Sequence, residues 1–399
     1  MSAPTAPVGV GGADADAAAR QARALEVSGW GERFTFLQPH NLCFWVFLGL
    51  MAVGLFQSWS YFRPELGFYG EAIGISAVLC VGFGAIWWAW LRHVDRWERQ
   101  PVDLVVAAVA WGAIAATFGF AMTVNTAMLS IYAKLFGQDW ASSWAAGATA
   151  PFTEESAKLC GFLLLMGLAP RLVRTANDGL VLGAFIGLGF AAFEDFLYAA
   201  NAVGSAFGTD PVQHAVQISF TRFAVGFVSH PLFSALVCSG AVYLIGTAAQ
   251  PRRIARGLLF VAAGLFIHFT WDDAGGLGGH GAGVFLVMAL STIAGFVLLT
   301  IAFRLAAPTE HQFVRDILAP EVEAGHVRAD ELDAALDKRA RKAARKAAPG
   351  RKAKKAQKHL GRAIMDLAHD VARARGLETA EVEQGRAEVA RLRSVAEVR

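Results

Sequence analysis

The chain has 399 residues, of which 55% are hydrophobic and 17% charged, with a mean hydropathy of +0.41. This balance excludes an ordinary soluble domain and fits a membrane protein. The formal net charge of +3 averages a middle region nearly free of charge with a C-terminal region dense in Lys and Arg.

Residues 1–40 are rich in Ala, Gly and Pro and lack a continuous apolar run, so they do not form a secretory signal. They are expected to be a mostly disordered cytoplasmic tail, with a short helix near Ala17–Val27. Eight apolar runs of bilayer-spanning length follow, at 42–59, 70–91, 102–125, 148–169, 179–201, 220–247, 255–273 and 283–306. The expected fold is therefore an all-α polytopic membrane bundle of about eight transmembrane helices over residues 41–306. Cys43, Cys80, Cys160 and Cys238 lie inside these runs, form no CxxC motif, and read as small buried hydrophobes.

Loop charges set the orientation. Arg92, Arg96 and Arg99 follow the second run, Arg171 and Arg174 the fourth, and Arg252, Arg253 and Arg256 the sixth. The alternate loops hold only Arg63 and Lys134. The positive-inside rule then places both termini in the cytoplasm of a plasma-membrane protein.

Beyond Pro308 the chain becomes soluble. Residues 307–336 are expected to form a cytoplasmic helical hairpin, with Phe313, Ile317, Leu318, Leu332 and Leu336 apolar at helical spacing and Gly325 in the turn. Residues 337–399 are expected to be a polybasic and amphipathic-helical tail. The basic block 338–358 has two readings, a segment drawn to anionic lipid head groups and a solvated, mostly disordered stretch. It carries no aromatic or motif support for nucleic acid, and no nucleic-acid partner is expected.

The polar residues inside the apolar runs are few. They are Glu154, Glu155 and Lys158 in the fourth run, Glu194 and Asp195 in the fifth, His230 in the sixth, and His268, Asp272 and Asp273 in the seventh. Counting ~1.5 Å per residue from the inner ends, Glu154, Glu194 and His230 lie about 24–25 Å deep and His268 about 18 Å deep. In a core roughly 30 Å thick, four successive helices thus carry their acids and histidines in the outer half. A lone intramembrane His is more often a helix–helix hydrogen-bonding residue than a ligand. The set taken together is hard to explain as structure. His and Glu from separate helices can supply a three-ligand zinc site with an open position. A neighbouring carboxylate can take a proton from bound water. Lys158 can pair with Glu154 at i+4 or Glu155 at i+3, and Asp272 can orient His268 one turn away.

Four motifs in order resemble the PrsW family of intramembrane proteases, itself distantly similar to the type II CAAX prenyl endopeptidases and the Abi/CPBP proteins. They are Glu154-Glu155-x-x-Lys158, Gly189-Phe190-Ala191-Ala192-Phe193-Glu194-Asp195 with Tyr198, Ser229-His230-Pro231-Leu232-Phe233-Ser234, and His268-Phe269-Thr270-Trp271-Asp272. The resemblance covers about residues 40–305 and implies cleavage of a membrane-anchored protein, such as an anti-sigma factor, near the outer face. Asp195 stands where the family usually has Asn. On this footing Glu154 is expected to activate water as general base and Glu155 to help bind or orient it, with Lys158 as a charge partner. Glu194, His230 and His268 would hold a metal, Zn2+ being the candidate, and Asp272 would orient His268. The residues also fit a glutamate-activated water without metal. An ion- or proton-coupled transporter and a non-catalytic membrane scaffold are the rival readings.

Overall fold

The computed structural model describes residues 12–95, 97–204, 208–226 and 229–397. Arg96 and the first eleven residues, on which part of the loop-charge argument and part of the expected tail fall, lie outside them. The described residues are mostly helical, without a strand. In chain order the helices are α1 (Gly12–Ser28), α2 (Leu42–Val94), α3 (Val102–Ala110), a π-helical stretch (Trp111–Ala121), α4 (Met122–Phe136), α5 (Gln138–Leu168), α6 (Ala176–Ala202), α7 (Pro211–Val225) and α8 (His230–Ile245). There follow α9 (Ile254–Asp272), α10 (Ala274–Gly278), α11 (Ala282–Ile317), α12 (Ala319–Glu323), α13 (Ala329–Leu336), α14 (Lys338–Ala347), α15 (Arg351–Arg373) and α16 (Ala380–Glu397). They form two compact units, one of Phe34–Ala306 and one made from the two ends of the chain, up to Arg33 and from Ala307.

Among the described residues, five helices are long and apolar enough to cross a membrane: α2, the rod Val102–Phe136, α6, α9 and α11. α8 is apolar but shorter. α5, with Asp139, Glu154, Glu155 and Lys158 along it, is not among the five.

α2 merges what the hydropathy pattern separates into two runs. Its 53 residues are interrupted by non-helical backbone at Tyr69. The side chains of Gln38 and Asn41, just before its start, donate to the carbonyls of Leu168 and Gly167 at the end of α5. Farther along, Tyr61 reaches Asn201 at the end of α6. Trp88 then packs on Phe185, and Arg92 donates to the carbonyl of Gln100, whose side chain bonds Asp178 at the start of α6. Both ends of α2 therefore lie where α5 passes into α6, and the helix doubles back near Tyr69.

α6 is the hub of this unit, with every residue from Ala176 to Phe190 buried. Gly179, Gly183 and Gly187 form a stripe along which α8 approaches to backbone contact. A Cβ at Gly183 would meet the Ser234 carbonyl oxygen at 2.4 Å, and one at Gly187 the His230 carbonyl oxygen at 2.3 Å. Small residues are what allow such close helix packing in a bilayer. The stripe thus fixes the height of His230 against α6.

The terminal unit corrects the expectation of a disordered N-terminal tail, as far as the described residues 12–33 go. There Ala17, Ala24, Leu25 and Trp30 are buried. Trp30 stacks on His369 at 4.9 Å, Gln21 donates to the Ile317 carbonyl at 2.8 Å, and Arg375 grips Glu32. The partners lie some three hundred residues away in sequence, so local composition could not reveal them. The expected hairpin takes the form of α12 and α13 around Gly325, whose φ is +77°. α11 continues through Pro308 rather than ending before it. The basic block is helical, within α14 and the first turns of α15.

Candidate active site

α5 places Glu154, Glu155 and Lys158 on successive turns of one buried face. The helix is held at this level by Trp111, whose indole N–H donates to the Ala157 carbonyl at 3.0 Å across Gly161. Lys158 is fully buried. Its Nζ lies 2.7 Å from Glu155 Oε1, 2.9 Å from His230 Nδ1 and 3.6 Å from Glu154 Oε2, and 3.8 Å from the centre of the Phe190 ring.

The sixth apolar run, expected to be one span over 220–247, is broken. α7 ends at Val225 and α8 begins at His230, with Pro231 in its first turn. Proline has no N–H to continue a preceding helix but suits a helix start. His230 therefore heads a helix instead of lying inside one. Its ring packs between Phe190 and Phe233, with Nε2 3.0 Å from Glu194 Oε2.

α9 supplies His268 and Asp272 one turn apart, with His268 stacked on Phe233 at 4.6 Å. His268 Nδ1 lies 3.2 Å from Glu155 Oε1, and its Nε2 lies 3.6 Å from Glu154 Oε2 and 3.3 Å from Asp272 Oδ2. None of these three contacts has hydrogen-bond geometry, and both ring nitrogens, Glu154 Oε2 and Asp272 Oδ2 are buried without a hydrogen bond. Glu155, by contrast, is engaged at both oxygens, by Lys158 and by Ser234 Oγ at 2.9 Å.

Seven of the nine polar residues singled out from the sequence, Glu154, Glu155, Lys158, Glu194, His230, His268 and Asp272, thus meet in one cluster, but not in the expected arrangement. One ligand atom each from Glu154, His230 and His268 lie within 4.8 Å of one another, and all three residues are buried. Glu194 stands outside that trio. Its Oε2 accepts from His230 Nε2 and from Arg222 Nη2, at 3.0 and 2.5 Å, so it faces the far side of the His230 ring. The close trio is thus Glu154, His230 and His268, where the expected metal set was Glu194, His230 and His268. Asp273 is separate from the cluster and accepts from the Gly147 backbone N–H at 2.8 Å.

Two partners were not legible as such. Asn125, in a run read as free of polar groups, donates to Glu154 Oε1 at 3.0 Å and accepts from Thr153 Oγ1 at 2.5 Å. Arg222 sits eight residues before His230 and grips Glu194 and Asp195. The signal for each was a polar residue inside an apolar run, away from any motif.

A family model described as PrsW family intramembrane metalloprotease matches residues 100–303, which take in every residue of the cluster. No curated protein and no solved structure matches the chain.

Proposed function

Because the chain belongs to the PrsW family of intramembrane metalloproteases, matched over just over half its length, we propose that it hydrolyses a peptide bond of a membrane-anchored protein at the Glu154, His230, His268 cluster. Membership makes it a multi-pass membrane hydrolase acting on a membrane protein, which sets the transporter and scaffold readings aside. The observation that carries the site is Glu154 Oε2, buried without a hydrogen bond yet 3.6 Å from His268 Nε2 and 3.7 Å from His230 Nδ1.

The donor set fits a metal ion of the zinc type. It offers one carboxylate and two imidazoles, and the Glu154 oxygen and both His268 nitrogens have no hydrogen bond to give up. When bound, such an ion would polarise the scissile carbonyl and acidify a water. Glu154 would then be a ligand, with Asn125 holding its other oxygen. The proton of the attacking water passes to Asp272, whose Oδ2 is buried without a hydrogen bond 3.3 Å from His268 Nε2, and which later returns it to the leaving amine. Glu155, tied to Lys158 and Ser234, stays beside His268 Nδ1 and orients that ring. Lys158 balances the charge of the two glutamates.

A second reading is favoured by one observation. His230 Nδ1 is already hydrogen-bonded to Lys158 Nζ at 2.9 Å, so to bind a metal Lys158 must first release it. If it does not, Glu154 is itself the general base and its free oxygen holds the water. Metal content of the purified protein separates the two. Stoichiometric zinc in the wild type, lost in His230→Ala, supports the metal site. A metal-free wild type that still cleaves in chelator supports the glutamate base.

The same proposal includes eight crossings, the doubled-back α2 counting twice and the charged α5 and short α8 each once. That both chain ends build one unit supports an even number of crossings. The arginine-rich loops support cytoplasmic termini in a plasma membrane. An anti-sigma factor is the proposed substrate class, on the strength of the family resemblance. The exposed basic face of α14 and α15 is proposed to meet anionic lipid head groups. Cleavage of a co-expressed anti-sigma factor, absent with Glu154→Gln, tests the substrate.

A further inference from the structure

Arg222 belongs to none of the four motifs, yet it touches two acids of the charged set. Its Nη2 donates to Glu194 Oε2 at 2.5 Å and its Nε donates to Asp195 Oδ1 at 2.7 Å. Its guanidinium carbon lies 4.2 Å from the centre of the Tyr198 ring. A single turn of α6 thus holds the guanidinium from three sides. α7, which carries it, is anchored against α2 by Phe223 stacked on Phe83 at 4.0 Å.

The Glu194 oxygen that Arg222 grips also lies 3.0 Å from His230 Nε2. On the opposite edge of that ring, Lys158 Nζ lies 2.9 Å from Nδ1. An ammonium only donates, so Nδ1 accepts and the ring proton sits on Nε2, donated to Glu194. That tautomer turns the Nδ1 lone pair, which accepts from Lys158, toward the side of Glu154, whose Oε2 lies 3.7 Å away.

We propose that Arg222 is a positioning residue of the hydrolytic site. It locks the Glu194 carboxylate and, through it, the orientation and tautomer of His230. The inference rests on the cluster being that site. A guanidinium suits the task because its fixed fork reaches two carboxylates at once, whereas a lysine brings one point charge. Arg222 also neutralises two adjacent acids in apolar surroundings, which would otherwise repel each other. Asp195 and Arg222 are therefore coupled, and Asp195→Asn should recover part of what Arg222→Gln loses.

The test uses full-length protein reconstituted with a membrane substrate, as wild type, Arg222→Gln, Arg222→Lys and the Asp195→Asn/Arg222→Gln double variant. Cleavage rate is read beside the 15N signals of histidine-labelled protein, with His230 assigned by its loss in His230→Ala. The expected result for Arg222→Gln is cleavage slower by about 10- to 100-fold, the usual weight of a residue behind a metal-site histidine. Its His230 signal should move from a single Nε2–H tautomer to a mixture, with Arg222→Lys intermediate in both readouts. A His230 signal identical to wild type in Arg222→Gln overturns the proposal, whether cleavage falls or not. If Arg222→Gln fails to fold, Arg222→Lys decides by the same signal, a shift supporting and an unchanged signal overturning. A wild type that cleaves nothing defeats the protease reading, and the His230 signal still decides the role of Arg222.

Discussion

In the terminal unit Glu321 and Glu331 are buried, and each has both oxygens taken by an arginine fork at 2.7 Å, Arg386 on the first and Arg393 on the second. In the membrane unit Glu154 is buried to the same degree, 5% exposed against 4% for Glu321, but one of its oxygens has no hydrogen bond. An unmade hydrogen bond on a buried polar group costs ~1–3 kcal/mol, more when it is charged. Glu321 and Glu331 avoid that cost, whereas Glu154, His268 and Asp272 accept it side by side. The same residue type is therefore a fastener at Glu321 and Glu331 and keeps a spare acceptor oxygen at Glu154. What distinguishes the two is whether the last oxygen is satisfied.

The strongest test of that contrast is Glu154→Gln. It keeps size and the bond to Asn125 while removing the charge, and cleavage should fall by about 10²–10⁴-fold with the melting transition in detergent unchanged or raised. A drop in melting temperature would make Glu154 a fastener after all. Asp272→Asn should cost somewhat less, on the order of 10²-fold in cleavage, again without loss of stability.

The paired acids should respond in the opposite sense. Arg393→Ala leaves the buried Glu331 with Arg328 as its partner in place of a two-pronged fork, and should destabilise the terminal unit by about 3 kcal/mol. Limited proteolysis of the full chain would show this as faster cutting beyond Ala307. A smaller loss, about 2 kcal/mol, is expected for Gly31→Ala. There φ is +78° and a new Cβ would meet the Ala372 backbone at 2.4 Å, so the N-terminal segment should become cleavable at Arg20 and Arg23.

The smallest effect is a pH dependence. Burial works against the Glu331 carboxylate, but the Arg393 fork and the Arg328 backbone N–H outweigh it and hold its pKa below the ordinary value. A depressed folded-state pKa contributes stability above the unfolded value, about 4.3 for Glu, and loses it as pH falls through the depressed value. Protease resistance of the terminal unit should therefore weaken below about pH 4, and this acid-linked weakening should be reduced in Arg393→Ala.

Much of the site was legible because charges in apolar runs are costly and therefore rare. Glu154, Glu155, Lys158, Glu194, His230, His268 and Asp272 stood out against the hydrophobic background, and the structure brings them together. Asn125 and Arg222 did not stand out, because a polar residue near the end of a run is ordinary at a membrane surface. Only their contacts, 3.0 Å to Glu154 and 2.5 Å to Glu194, tie them to the cluster.

The sequence by itself determined the helical class, the membrane setting and the identity of the charged set, because hydropathy and charge placement are properties of the chain read one residue at a time. The tertiary structure alone decided which residues share an atom-to-atom contact. Glu154, not Glu194, joins the two histidines, because α5 and α9 face each other across the cluster while Glu194 meets the other edge of the His230 ring. The docking of Trp30 on His369 and of Gln21 on the Ile317 carbonyl was settled the same way. Each depends on partners far apart in sequence, whose meeting no local pattern encodes.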